Sequence, residues 1–173
     1  SNVVTIHADE AQNFLNSFDA HYVAQCRSHR GCMVYLTQSL HAYYAALPGE
    51  AGHHQADSLL TNFHTKLLHA LGDIETANWA SSLIGKSLQV FTGGSMSPSE
   101  GLYDDVLGTT SRYTGNFSQA YESILQANAF MHGLRTGGAA NGFVCDCFVI
   151  RSGEPFANGE NWLATSFDQR TPG

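Results

Sequence analysis

The chain has 173 residues, of which 43% are hydrophobic and 13% charged, a composition that excludes a largely disordered protein and suits one domain around one core. Eight Lys and Arg residues against fifteen Asp and Glu residues give a net charge of −7, which argues against binding nucleic acid through bulk positive charge. Four cysteines and the absence of a long apolar run exclude a disulfide framework and a membrane-spanning segment, so we expect a soluble segment in a reducing compartment.

The first half of the sequence predicts strands that alternate with helices. The stretches with strand character are residues 3–8, 31–38 and 62–71, and those with helical character are residues 19–29, 39–47, 55–61 and 73–85. Residues 3–8 show almost no polar alternation, which favours a parallel strand covered on both faces. Strands and helices in this order indicate βαβ units, and therefore an α/β fold with a mainly parallel sheet.

The second half of the sequence differs from the first in composition and pattern. Residues 93–116 are rich in Gly, Ser, Thr, Asp and Tyr, which indicates a long loop or insertion. Residues 117–130 have helical character. The alternating stretch VCDCFVI and the later NWLATSF predict a terminal β-hairpin. We interpret residues 1–173 as a single domain.

An acidic pair follows the first predicted strand. The stretch VVTIHADEAQNFL places Asp9 and Glu10 where the strand pattern stops. A nucleoside triphosphatase needs such a pair beside its phosphate loop, because the Asp holds Mg²⁺, usually through water, and the Glu polarises the attacking water. The alternative is that the pair only caps the helix that follows.

Gln38 follows the next predicted strand. In an open parallel sheet the carboxyl ends of neighbouring strands lie at one edge, beside the ligand crevice, where a Gln can sense a terminal phosphate. The alternative is a hydrogen-bonding or capping residue at the strand end. Arg27 and Arg30 precede this strand, and one such Arg can reach the phosphates bound by a neighbouring subunit in a ring ATPase. Each is otherwise an ordinary surface arginine.

The order of these motifs resembles a known family, the conjugative coupling ATPases of the TraG/TraD type, which serve type IV secretion systems. The stretches that carry the resemblance are VVTIHADEAQNFL, CRSHRGCMVYLTQSL, LLTNFHTKLLHALGDIETANWASSLIG and, more loosely, GLRTGGAANGFVCDCFVIRSGEPF. They lie within residues 3–92 and 130–169. The resemblance is to the carboxyl-terminal portion of the motor, so it implies part of a RecA-like parallel sheet flanked by helices.

The resemblance also implies roles and partners. Asp9 takes the place of the Mg²⁺-binding residue, Glu10 that of the residue that activates water, Gln38 that of the phosphate sensor and Arg27 that of the arginine finger. The family uses ATP and Mg²⁺, forms hexameric rings at the cytoplasmic face of the bacterial inner membrane, and moves DNA or protein substrates. The expected partners are single-stranded DNA or a relaxase–DNA complex, and the proteins of the secretion channel.

One departure from the family pattern is the missing phosphate loop. The loop has the form G-x-x-x-x-G-K-[ST], and Gly85-Lys86-Ser87 has Ala80 where the first glycine is required. We therefore expect a piece of a longer ATPase, or a degenerate relative, that is inactive by itself. The alternative function is a non-catalytic binding module that recruits secretion or relaxosome partners, and a third is a small hydrolase or metal protein.

Two further motifs allow more than one interpretation. Cys145 and Cys147 would face the same side of a strand, as metal ligands can, although no zinc spacing accompanies them. Tyr43 and Tyr44 suit either stacking on nucleic-acid bases or packing in the core, and packing is the favoured interpretation.

Overall fold

A computed structural model describes residues 2–47, 49–96 and 113–170. These residues form five α-helices and seven strands, so the predicted mixture of helices and strands is confirmed. The strands are β1 (Val4–Ala8), β2 (Gly31–Tyr35), β3 (Thr65–Leu68), β4 (Lys86–Met96), β5 (Tyr113–Ser123), β6 (Val144–Arg151) and β7 (Trp162–Asp168). The helices are α1 (Asp19–Cys26), α2 (Leu40–Ala46), α3 (Glu50–Asn62), α4 (Ile74–Ile84) and α5 (Ala127–His132). The contacts divide the chain into two compact units, Ser1–Ile84 with Leu125–Gly173, and Gly85–Ile124.

Strands β1 and β2 form the parallel part of the fold, a two-stranded sheet in which Val4 pairs with Gly31 and Ala8 with Tyr35. The prediction of a strand covered on both faces is wrong for β1, because its Val4 side chain is 61% exposed. The helices gather instead against Met33 and Tyr35 of β2. Among the described residues of that core, none comes from β1.

The remaining sheet of the larger unit is antiparallel, in the order β3-β6-β7. The mainly parallel sheet predicted from the alternation of strands and helices is therefore wrong, since β3 pairs antiparallel with β6. The side chains of β3 alternate between exposed and half-buried positions, which is the pattern of a sheet covered on one face. The predicted terminal hairpin is confirmed, because β6 pairs antiparallel with β7.

Two clusters of buried side chains stabilise the larger unit. The first lies among α1, α2 and α3 and comprises Val23, Leu40, Tyr43, Ala56, Leu59 and Leu60. The second joins α4 and α5 to the antiparallel sheet and comprises Ala77, Ala80, Ile84, Phe130, Phe148 and Ile150. Trp79 of α4 is half-buried and packs against both clusters, so α4 connects the parallel and antiparallel parts of this unit.

Helix α4 begins and ends as the sequence predicts. The carboxylate of Asp73 accepts hydrogen bonds from the backbone N–H groups of Glu75 at 3.1 Å and Thr76 at 2.9 Å, so Asp73 caps the first turn. Gly85 follows the helix with a φ of 105°, a left-handed conformation that glycine adopts without steric cost.

The smaller unit is an antiparallel hairpin in which Lys86 of β4 pairs with Ser123 of β5 and Met96 with Tyr113. The predicted loop over 93–116 is therefore strand at 93–96 and 113–116, and residues 97–112 lie outside the described residues. The predicted helix over 117–130 is wrong for 117–123, which belong to β5, and only its last part lies in α5. The pairing of β5 with β4 overrides the weak helical preference of this segment.

Candidate functional site

The carboxyl ends of β1 and β2 lie at one edge of the parallel sheet and bring two of the predicted site residues together. Asp9 and Glu10 follow β1 directly, and Gln38 lies three residues beyond β2. The side-chain Nε2 of Gln38 donates a hydrogen bond to Oε1 of Glu10 at 2.9 Å. The expectation that both strand ends share an edge is thus confirmed for Glu10 and Gln38.

Glu10 occupies an unusual backbone conformation, with φ 49° and ψ 49°. Few residues other than glycine adopt this left-handed region, and such residues are frequent at functional sites. A 3-10 helix, Ala11–Asn13, follows at once, and its Ala11 is buried, with the backbone N–H donating to the carbonyl of Leu36 at 2.9 Å. The turn after β1 is therefore fastened to the segment after β2.

The sequence also allows a second role for Asp9 and Glu10, in which the pair only caps the helix that follows. The Oδ1 atom of Asp9 accepts a hydrogen bond from the N–H of Glu10 at 3.0 Å, and the 3-10 helix Ala11–Asn13 has no side-chain cap. The Asp9 side chain is exposed at this edge. Carboxylate oxygens are the ligands that Mg²⁺ prefers, usually one or two of them together with waters and substrate phosphates. Asp9 supplies one exposed carboxylate of this kind, and its contact with Mg²⁺ stays a prediction.

Gln12 is a member of this site that sequence reasoning missed. Its Nε2 donates to Oε2 of Glu10, and its Oε1 accepts a hydrogen bond from the hydroxyl of Thr37 at 2.9 Å. Together with the Gln38 contact, both carboxylate oxygens of Glu10 accept hydrogen bonds from neutral amides. The sequence offers one signal for this role, the position of Gln12 two residues after Glu10. Its other partner, Thr37, is 25 residues away and could not be recognised from local sequence.

Arg27 lies elsewhere. It begins the 3-10 helix Arg27–His29, which precedes β2, and its side chain is exposed. The five residues of β2 separate it from the segment that carries Gln38, and a strand of that length spans about 17 Å. The structure does not bring Arg27 to Glu10 and Gln38 within one chain. A phosphate contact by Arg27, as predicted, would have to be made to a neighbouring copy.

The segment after Gln38 is attached to helix α4. Ser39 caps α2, and the N–H of Leu40 donates to the hydroxyl of Thr76 at 3.1 Å in a buried environment. Thr76 in turn donates its hydroxyl and its backbone N–H to Asp73. These hydrogen bonds from Thr76 lower the pKa of Asp73. The β2–α2 connection is therefore fixed by α4 on one side and by Gln12 on the other.

The other candidate residues have structural surroundings. Tyr43 is 2% exposed and packs in the first core, so the packing interpretation is confirmed for it. Tyr44 stacks on His53, with ring centroids 4.4 Å apart, and its hydroxyl donates to Asp57 at 2.8 Å.

Cys147 is buried in β6, and burial raises the pKa of its thiol. The Cys145 sulfur lies 3.2 Å from Nδ1 of His69. Within residues 2–47, 49–96 and 113–170, the structure has no group of three His, Cys, Asp or Glu residues that could hold a metal ion. In the same residues, no helix has both the length and the apolar character needed to cross a bilayer.

Fold and site together define a class: a protein of mixed helices and strands in which a two-stranded parallel sheet presents carboxylate and amide groups at the carboxyl ends of its strands. The family described as the TraM recognition site of TraD and TraG matches residues 3–132, and the chain belongs to this family. It corresponds to a carboxyl-terminal portion of TraG and TraD, which are coupling proteins of conjugation. Comparison with individual curated proteins gives no match.

Proposed function

We propose that the chain forms the carboxyl-terminal part of the motor of a conjugative coupling protein, in which ATP hydrolysis drives the translocation of a DNA or protein substrate. The observation that carries this proposal is the hydrogen bond between Gln38 and Glu10 at the carboxyl edge of the parallel strands. That edge lies within the region matched by the family. A water-activating carboxylate next to an amide that senses phosphate is an arrangement suited to phosphoryl transfer.

Each residue has a specific task in this proposal. Asp9 would hold Mg²⁺ through water, and the ion would supply positive charge beside the phosphates of ATP. Glu10 accepts a hydrogen bond from the attacking water and orients it. With ATP bound, Gln38 would turn its amide from Glu10 to the terminal phosphate.

The proposal requires a phosphate-binding loop from outside this sequence. Gly85-Lys86-Ser87 is unsuitable, because Gly85 ends α4 and Lys86 begins β4, whereas a phosphate loop follows a strand and opens a helix. Two carboxylates without backbone N–H groups or a Lys repel a polyanion. We therefore expect the 173-residue chain to show no ATPase activity and at most weak, Mg²⁺-dependent binding of ATP in calorimetry. Low-micromolar binding would contradict this assignment.

The exposed strand β1 supports a larger assembly. Parallel strands are ordinarily covered on both faces, yet Val4 and Ile6 are 61% and 40% exposed. We propose that other parts of the coupling protein cover them in a homo-hexameric ring at the cytoplasmic face of the inner membrane. That ring would engage single-stranded DNA or a relaxase–DNA complex and the proteins of the secretion channel.

Substitution of Glu10 tests the motor directly. In the complete coupling protein that contains this chain, Glu10→Gln should leave ATP binding nearly intact and slow hydrolysis by orders of magnitude, because it removes water activation and keeps the shape of the side chain. Glu50→Gln, on the exposed first turn of α3, is the matched control and should change neither. Equal loss of binding and turnover would assign Glu10 a structural role.

Arg27 tests the ring. Arg27→Ala should reduce hydrolysis in assembled rings, because the proposed finger acts across a subunit boundary. When this variant is mixed with Glu10→Gln subunits, some interfaces combine an intact Arg27 with an intact Glu10, and partial activity should return. If the mixture hydrolyses no more ATP than the separate variants, Arg27 does not act in trans.

A second function is favoured by the family description itself. We propose that this region also recognises TraM, as a relaxosome partner. Two exposed aromatic side chains precede α1 within the matched region, Phe14 at 72% and Phe18 at 77% exposed, and we propose them as part of the recognition surface. Phe18→Ser should weaken TraM binding in calorimetry, whereas Phe167→Ser, at an exposed aromatic outside the matched region, should not. Equal binding by both variants would exclude this surface.

A further inference from the structure

Gln12 has a defined orientation at the candidate site. A carboxylate only accepts hydrogen bonds, so the Gln12 amide must turn its Nε2 to Glu10, and its Oε1 then faces the hydroxyl of Thr37. Both ends of the amide are thus engaged with partners from two different strand ends. Reversal of the amide would bring two acceptors together at Glu10.

The backbone around Gln12 is fixed as well. Ala11, its neighbour, is 1% exposed and bonded to Leu36, and the N–H of Asn13 donates to the carbonyl of Glu10 at 2.9 Å. Gln12 itself is half-buried, whereas Gln38 is exposed and follows β2 in a segment without regular structure. Of the two amides on Glu10, that of Gln12 is therefore the more firmly held.

We propose that Gln12 is a positioning residue that holds Oε2 of Glu10, so that Oε1, which Gln38 covers in this arrangement, is the oxygen that faces the attacking water. This inference rests on the proposed function and adds to it a division of labour between two glutamines. Gln38 leaves Oε1 when it turns to phosphate. Gln12 stays and keeps the carboxylate aimed, which matters because a small misplacement of a catalytic group costs a large factor in rate.

The test uses the complete, assembled coupling protein. Gln12→Leu should lower kcat for ATP hydrolysis about 10²-fold and leave the KM for ATP unchanged, because Gln12 acts on the reaction only through Glu10 in this proposal. Thr37→Val keeps the Gln12–Glu10 bond and removes only its support, so its loss in kcat should be smaller. Gln25→Leu is the matched control: this exposed Gln of α1 contacts His21, and both kinetic constants should stay at the wild-type value.

A double substitution separates positioning from general stability. Since Gln12 acts through Glu10, the Glu10→Gln/Gln12→Leu variant should be no slower than Glu10→Gln alone. The inference is overturned if the losses in kcat of the two single variants multiply in the double variant, or if Gln12→Leu has a wild-type kcat. Either result counts against it even where Glu10→Gln slows hydrolysis strongly. If Glu10→Gln itself leaves hydrolysis unchanged, the proposed function fails and the role of Gln12 fails with it. If Gln12→Leu does not assemble, a wild-type kcat in Thr37→Val overturns the inference.

Discussion

The parallel pair β1–β2 and the antiparallel sheet β3–β6–β7 use their side chains in opposite ways. The strand β1 leaves Val4 and Ile6 exposed and ends in a network of polar side chains. The central strand β6 buries Phe148 and Ile150 against the helices. Apolar burial therefore stabilises the antiparallel sheet, while hydrogen bonds determine the geometry at the edge of the parallel one.

The same contrast holds for one carboxylate in each region. Asp146 of β6 accepts two hydrogen bonds from the guanidinium of Arg135, at 2.8 and 2.7 Å, and one from the hydroxyl of Ser166 at 2.8 Å. The Arg135 side chain is the main reason that the pKa of Asp146 is well below its usual range. Glu10 accepts its hydrogen bonds from two neutral amides, of which the exposed one of Gln38 can exchange for water. Asp146 is thus held by a charged partner, whereas Glu10 is held by neutral amides.

The largest expected effect comes from breaking the second core. Phe130 is fully buried and contacts Phe148 edge-on, with ring centroids 5.0 Å apart. Phe130→Ala should lower the free energy of unfolding by about 3–5 kcal/mol in denaturant titration. Phe14→Ala, at a Phe that is 72% exposed just after the 3-10 helix Ala11–Asn13, should change it by no more than about 0.5 kcal/mol. Similar losses for both would refute the difference between the regions.

A smaller effect is expected where the two regions meet. Thr76→Val removes the hydroxyl that accepts the buried N–H of Leu40, and a buried donor without a partner costs about 1–3 kcal/mol. Thr76→Ser keeps the hydroxyl and should retain most of the stability. Chemical denaturation of the three proteins measures this, and a loss in Thr76→Ser as large as that in Thr76→Val would mean that the methyl group matters as much as the hydroxyl.

Acid should weaken the antiparallel sheet through Asp146. Because its folded-state pKa is lowered, the carboxylate stabilises the protein above the unfolded pKa of about 4, and that contribution is lost as the pH falls below this value. Asp146→Asn should lower the melting temperature at pH 7 and flatten its fall on the acid side. Asp168→Asn is the control. Arg170 lowers the pKa of Asp168 to about 2, but because this pair lies on the surface, Asp168→Asn should change the melting temperature less than Asp146→Asn does. An unchanged acid limb in Asp146→Asn would contradict the assignment.

The smallest effect is expected at β1. Val4→Thr keeps a β-branched side chain at an exposed position and should change the unfolding free energy of the 173-residue chain by no more than about 0.5 kcal/mol. Ile150→Thr, the same kind of change at a buried position of β6, should cost far more. A loss above about 2 kcal/mol for Val4→Thr would show that β1 is covered in solution.

Local patterns were enough to predict much of the fold. Helix α4 is predictable from the sequence because Asp73 at its start and Gly85 at its end each act within one turn of the helix. The ends of β1 and β2 were also predicted from the sequence, and so was the edge of the sheet that Glu10 and Gln38 share. The family was recognisable from the sequence too, because its motifs are short stretches in a fixed order.

Only the tertiary structure decided which distant segments pair. An alternating or apolar stretch records which faces are buried but not which strand lies beside it, so β3 could not be assigned to β6, more than 70 residues away, and residues 117–123 could not be assigned to β4. Gln12 went unrecognised for the same reason, since its role depends on Thr37 of another strand end. Hydrogen-bond partners distant in sequence are selected by packing of the whole unit, and no local pattern contains that information.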